Sequence, residues 1–103
     1  MKQFLIRYRH QNGSKEDWHR EIGRFIANID ADPALKGKIG YRCLKSRDGA
    51  DYFHIAGAVD DQAIKALQSS AFFPRYNEAT REVAGGEVEV IPLETIAETA
   101  FRG

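Results

Sequence analysis

Residues 51–76 read DYFHIAGAV, DDQAIKALQSS and AFFPRY, and they decide the fold. The first block is rich in aromatic and β-branched side chains (Tyr52, Phe53, Ile55, Val59) and holds no proline, which suits a strand packed on both sides. Asp60 follows where a helix N-cap belongs. Its carboxylate can accept from the unpaired N–H groups of the first turn, and Asp61 adds charge at the favourable end of the dipole. Ala63, Ile64, Ala66 and Leu67 then recur at helical spacing. Ser69 and Ser70 interrupt that stripe, and Pro74 restarts a helix with Phe73, Tyr76, Thr80 and Val83 on its inner side.

Working outward, residues 3–10 (QFLIRYRH) form a first strand. Phe4, Ile6, Tyr8 and His10 lie on one face, and Leu5, Arg7 and Arg9 on the other. Gln11-Asn12-Gly13 is turn chemistry, and Ser14 with Asp17 starts a helix in the manner of a capping box. That helix, running to Asp30, carries Trp18, Ile22, Phe25, Ile26 and Ile29 as one stripe. Asp32-Pro33 ends it, because the residue before proline is pushed out of the helical region. A second strand runs from about Gly40 to Ser46, and Arg47-Asp48-Gly49 turns it into the third. Gly85-Gly86 closes the last helix, and EVEVIPL (87–93) alternates as a fourth strand.

The order β-α-β-β-α-β is the ferredoxin-like split arrangement: an antiparallel four-stranded α+β sheet with its helices on one face. Its 103 residues make one domain, with no element left over for the other face. Phe53, Ile55 and Val59 alternate with Tyr52, His54, Ala56 and Ala58, so both faces of the third strand are largely apolar. A second copy packed sheet against sheet, as a homodimer around a shared barrel, is the simplest cover. Residues 95–103 form a tail too apolar for a free end and are expected to pack on the partner.

Fifteen basic residues balance fifteen acidic ones, which gives no field favouring nucleic acid or an anionic membrane. The N-terminal apolar run is only Phe4-Leu5-Ile6, too short for a leader or a membrane span, and a single cysteine, Cys43, fits a reducing cytoplasm. Three scattered histidines do not make a metal set. Neither a phosphate-cradling glycine loop nor a nucleophile elbow is present.

The KSRDGADYF hairpin, the DDQAIKALQSSAFFPRY run and the GGEVEVIPLE strand together make the chain resemble the antibiotic biosynthesis monooxygenase-like family of dimeric α+β barrels. The family's Ala-Leu and Ser-x-x-Phe in the second helix correspond here to Ala63-Ile64 and Ser70-Ala71-Phe72-Phe73. The resemblance implies a cleft for a planar aromatic substrate, and oxidation of a phenolic or quinol compound by O₂ without a metal, flavin or other cofactor. There the substrate itself supplies the electrons, while the protein orients it in a dry pocket. One family feature is absent: the tryptophan near the end of the third strand falls on Ala58, or on Val59 if the register slips by one, and its acidic neighbour on Ala56. That absence argues against the haem-degrading branch, and it leaves open a non-catalytic, ligand-binding barrel as the alternative function.

Within that frame His54 is the candidate catalytic base, since imidazole titrates near neutrality and the alanines beside it leave room for a ligand. The bland alternative is a buried histidine satisfied by a carbonyl or a tyrosine hydroxyl. Tyr8, Tyr41, Tyr52 and Tyr76 are candidates to bond a ligand oxygen or stack on a ring, or else to fill the core. Arg42 and Arg75 could hold an anionic oxygen or simply lie on the surface. Arg7 and Arg9 are expected to pair with Glu87 and Glu89 across strands or across a dimer. His10 and His19 are expected to face solvent.

Overall fold

The computed structural model describes residues 1–100. In chain order the elements are β1 (Lys2–Arg9), α1 (Lys15–Ala31), β2 (Ile39–Lys45), β3 (Asp51–Ala58), α2 (Asp61–Gln68), α3 (Phe73–Val83) and β4 (Glu89–Leu93). The sheet is antiparallel throughout, in the order β2-β3-β1-β4. This is the expected ferredoxin-like α+β arrangement, with the second helix broken at Ser69-Ser70 into α2 and α3.

The helix starts follow from local chemistry. Ser14 accepts the Asp17 N–H at 3.1 Å, and Asp60 accepts the Ala63 N–H at 2.8 Å. Pro74 sits in the first turn of α3, where its missing N–H costs nothing. Gly85 and Gly86 take φ of 68° and 91°, a left-handed exit that lets the Gly86 N–H close back on the Arg81 carbonyl at 2.8 Å.

Register assigns every strand residue to a face. Tyr8 pairs with Tyr52, Ile6 with His54, and Cys43 with His54, so these side chains and Tyr41 all point toward the helices. There they meet Trp18, Ile22, Phe25 and Ile29 of α1, Leu35, and Tyr76 of α3, which together make the core. The opposite face carries Leu5, Leu44, Phe53, Ile55, Ile91 and Leu93, and among the described residues no helix or further strand covers it. Leu44 and Leu93 are 42% and 39% exposed.

Some local expectations shift. β3 ends at Ala58 rather than Val59, whose side chain is exposed while its N–H bonds the Lys38 carbonyl. β4 begins at Glu89 rather than Glu87. Arg7 pairs with Glu89 at 3.1 Å as expected, but Arg9 pairs with Asp51, its β3 neighbour, at 3.7 Å. Glu87 precedes the strand, so it has no register position opposite Arg9. From Glu94 to Ala100 the chain is exposed and without regular structure, and the rest of the tail, 101–103, lies outside the described residues. No described helix is long and apolar enough to cross a membrane.

If Asp60 is the cap that starts α2, Asp60→Ala lowers the unfolding free energy in urea by about 1 kcal/mol. Asp61→Ala, which removes an exposed dipole charge and a solvent-screened pair with Lys2 at 3.9 Å, lowers it by a few tenths, about 0.3 kcal/mol. Equal effects from the two substitutions would contradict the capping assignment.

Candidate functional site

His54, in the middle of β3, has no exposed surface. Both ring nitrogens are engaged. Nε2 lies 2.7 Å from the Tyr8 hydroxyl of β1, and Nδ1 lies 2.7 Å from the Tyr41 hydroxyl of β2 and 3.4 Å from the Tyr76 hydroxyl of α3. The network extends at both ends. Trp18 of α1 donates its indole N–H to the Tyr8 oxygen at 2.8 Å, and the Tyr41 and Tyr76 hydroxyls are 3.1 Å apart. Five side chains from five elements are thus joined in one buried polar chain.

Aromatic packing fixes their positions. Tyr76 stacks on Phe25 with centroids 3.7 Å apart and planes 2° from parallel, and more distantly on Trp18 at 5.7 Å. Tyr8 stacks on Tyr52 at 5.3 Å and meets His54 edge-on at 5.1 Å. Rings held on both faces have little freedom, so the hydroxyls are placed by the core and not by a mobile loop.

The electrostatics follow from burial. Without a carboxylate among its partners, the His54 imidazole resists protonation, and desolvation lowers its pKa from 6.5 to about 4. Burial likewise raises Tyr8, Tyr41 and Tyr76 well above the ordinary phenol value. Cys43, next to this group on β2, is pushed up to about 12 by burial, which the Tyr76 hydroxyl opposes. Near neutral pH every member of the cluster is therefore uncharged.

Beside the cluster, between the sheet and α2–α3, lies a cavity of about 440 Å³. Phe4, Ile6, Ile39, Leu67, Phe73 and Val88 supply much of its apolar wall, and Ala56, Gly57 and Ala58 leave the space open on the β3 side. Tyr41 and Tyr76 belong to the wall, whereas His54 stands behind them. Gln68, Asn77, Thr80 and Arg81 contribute polar groups. The volume is within the range of small-molecule sites.

The residues singled out from sequence divide accordingly. Tyr41 and Tyr76 reach the cavity; His54 and Tyr8 join it only through the hydrogen-bond chain. Tyr52 is buried on the far side of Tyr8, its hydroxyl 2.7 Å from Nε2 of His19. His19 itself stays exposed, as expected, while holding that bond, whereas the Nε2 of His10 is buried, with no partner among the described residues. Arg42 alternates with Tyr41 and so projects from the opposite face of the sheet, while Arg75 lies at the surface 3.7 Å from Glu21. Trp18, read from sequence as core only, heads the polar chain. The signal for it was its place near the start of α1, opposite the tyrosines of β1 and α3. Among the described residues no three His, Cys, Asp or Glu side chains gather as a metal set.

A histidine held neutral in the fold and free to protonate when unfolded makes stability depend on pH in one direction. The unfolded chain takes up the proton first, so stability is complete above pH 6.5 and is lost as pH falls toward 4. The loss attributable to His54 is about 3 kcal/mol across that window. Urea titrations at stepped pH should show this slope in the native sequence and a flatter one in His54→Gln. The same slope in both would remove His54 as its source.

No protein-family model matches the chain, and no curated protein matches it by sequence. Solved structures do match. A variant of SnoaB, a cofactor-independent oxygenase from Streptomyces nogalater, superposes with a TM-score of 0.77 at 19% identity, covering 97% of both chains. Rv0793 from Mycobacterium tuberculosis gives 0.75 at 15% identity, over 96% of this chain and 98% of its own. An antibiotic biosynthesis monooxygenase gives 0.75 at 9% identity, over 94% of this chain and all of its own. The likeness in structure extends over 94–97% of the chain, which has the ferredoxin-like α+β fold of the antibiotic biosynthesis monooxygenase-like proteins.

Proposed function

We propose that the cavity between the sheet and α2–α3 binds a small planar aromatic compound, phenolic or quinol in type, and that the protein catalyses its oxidation by O₂ without a cofactor. The observation that carries this reading is the cavity itself: about 440 Å³, walled by aliphatic and aromatic side chains, with two tyrosines in its wall. The fold it shares with a cofactor-independent oxygenase supports the same reading. For an anthrone-type substrate the balance closes without an external reductant. A ring CH₂ and O₂ give C=O and H₂O, the substrate supplying the electrons and protons. The protein's part is then to bind, orient and exclude water. His54, behind the wall, serves as a positioning residue that fixes the Tyr41 hydroxyl.

A specific observation favours the second reading, a ligand-binding barrel without turnover. Both nitrogens of His54 are already bonded and its pKa is depressed to about 4, so it is a poor base for a phenol. Oxygen uptake separates the two. With a panel of hydroxynaphthalenes and anthrones, the oxygenase reading expects consumption with at least one member, and at least a tenfold loss in Ala56→Phe, which fills the cavity. Binding without uptake across the panel would establish the second reading instead.

The same proposal includes a homodimer formed by the uncovered sheet face and an intracellular, cytoplasmic setting consistent with the one free cysteine. Leu5, Phe53, Ile55, Ile91, Leu44 and Leu93 form an apolar centre, and Arg7–Glu89 and Arg9–Asp51 a charged border, the anatomy of a protein interface. Light scattering should return the mass of two chains at micromolar concentration, and of one chain for Ile55→Arg. A stable single-chain mass for the native sequence would overturn the dimer.

A further inference from the structure

The polar chain behind the cavity has a direction, and that direction decides what kind of ligand oxygen the cavity accepts. This inference rests on reading the cavity as the binding site and goes on to the chemistry of its ligand. At one end stands Trp18, whose indole can only donate, so the Tyr8 oxygen accepts. The Tyr8 proton then has one partner within reach, Nε2 of His54 at 2.7 Å. If Nε2 carried the imidazole proton instead, the Tyr8 O–H would be buried with nothing to bond, at a cost of about 1–3 kcal/mol. Nε2 is therefore the acceptor, and in a neutral ring the proton sits on Nδ1. From there it is donated to the Tyr41 oxygen.

At the far end the protons outnumber the strong acceptors. Tyr41 and Tyr76 hold two hydroxyl protons, and one bond of 3.1 Å runs between their oxygens. The nearest nitrogen, Nδ1, is itself a donor and can take neither proton. Both tyrosines line the cavity, and one of their O–H groups is thus left with only the Cys43 thiol, a weak acceptor that the Tyr76 hydroxyl bonds, as its partner among the described residues. We infer that the Tyr41–Tyr76 pair is a hydrogen-bond donor to the ligand, and that the cavity selects planar aromatic compounds presenting an acceptor oxygen, a ring carbonyl or a phenolate, over the same skeleton without it. Trp18, Tyr8 and His54 act as positioning residues for that donor.

A matched pair of probes tests this without any turnover: 9-fluorenone, which carries a ring carbonyl, and fluorene, which has the same skeleton and none. Binding is followed by quenching of the single tryptophan, Trp18. The native protein is expected to prefer fluorenone by roughly three- to tenfold, the worth of one net hydrogen bond. The infrared carbonyl stretch of bound fluorenone should fall below its position in hexane. Because either tyrosine can carry the spare proton, Tyr41→Phe and Tyr76→Phe singly should each keep the preference. The double variant should lose it while binding fluorene as before. Equal binding of both probes, or an unshifted carbonyl, would overturn the inference and leave the aromatic-binding cavity standing. Binding of neither probe would overturn both.

Discussion

An imidazole buried without a counter-charge constrains everything around it. His54 cannot be ionised at neutral pH inside this core, so it must be satisfied as a neutral ring, with one nitrogen accepting and the other donating. Tyr8 and Tyr41 meet that requirement from the strands on either side of β3, and each hydroxyl then needs a partner of its own. Trp18 and Tyr76 supply those partners from α1 and α3. One buried polar group thereby ties three strands and two helices to a common geometry, and a half-satisfied version of this network would be worse than an apolar core.

Function enters at the edge of this network. Behind the cavity the cluster is closed and uncharged. At the wall it presents two tyrosines among aliphatic side chains, beside a strand segment of small residues. Such a surface favours orienting a ligand over attacking it, since among the described residues no free nucleophile or poised acid–base pair faces the space. That division fits chemistry in which the substrate carries its own reducing equivalents, and it fits sequestration equally well. The two differ in what the ligand can do with O₂.

Much of this was legible in the sequence, for reasons that can be named. Period two in FHIAGA and period 3.6 in Trp18–Ile29 fixed which residues share a face, and Ser14, Asp60 and Pro74 marked the helix starts. The same period two separates Tyr41 from Arg42, so adjacent residues on a strand could not both serve one site. Arg75 next to Tyr76 on α3 is a similar case, one side chain inward and the other outward. What periodicity cannot report is a partner. That Tyr8 would find Trp18 and His54 together, or that His19 would fold back onto Tyr52, depends on tertiary distances between residues 10 to 46 positions apart. The cavity wall was illegible for a different reason: Ile39, Leu67, Phe73 and Val88 look in sequence like any core residues, and only packing shows that they leave a space.

The direction of every hydrogen bond in the network follows from the protonation state of one ring. Long-range ¹H–¹⁵N correlation spectra of the native protein at neutral pH report directly which nitrogen of His54 bears the proton. A neutral ring protonated at Nδ1, unchanged in the presence of a bound ligand, is the predicted result. A proton on Nε2, or a doubly protonated imidazolium, would contradict it.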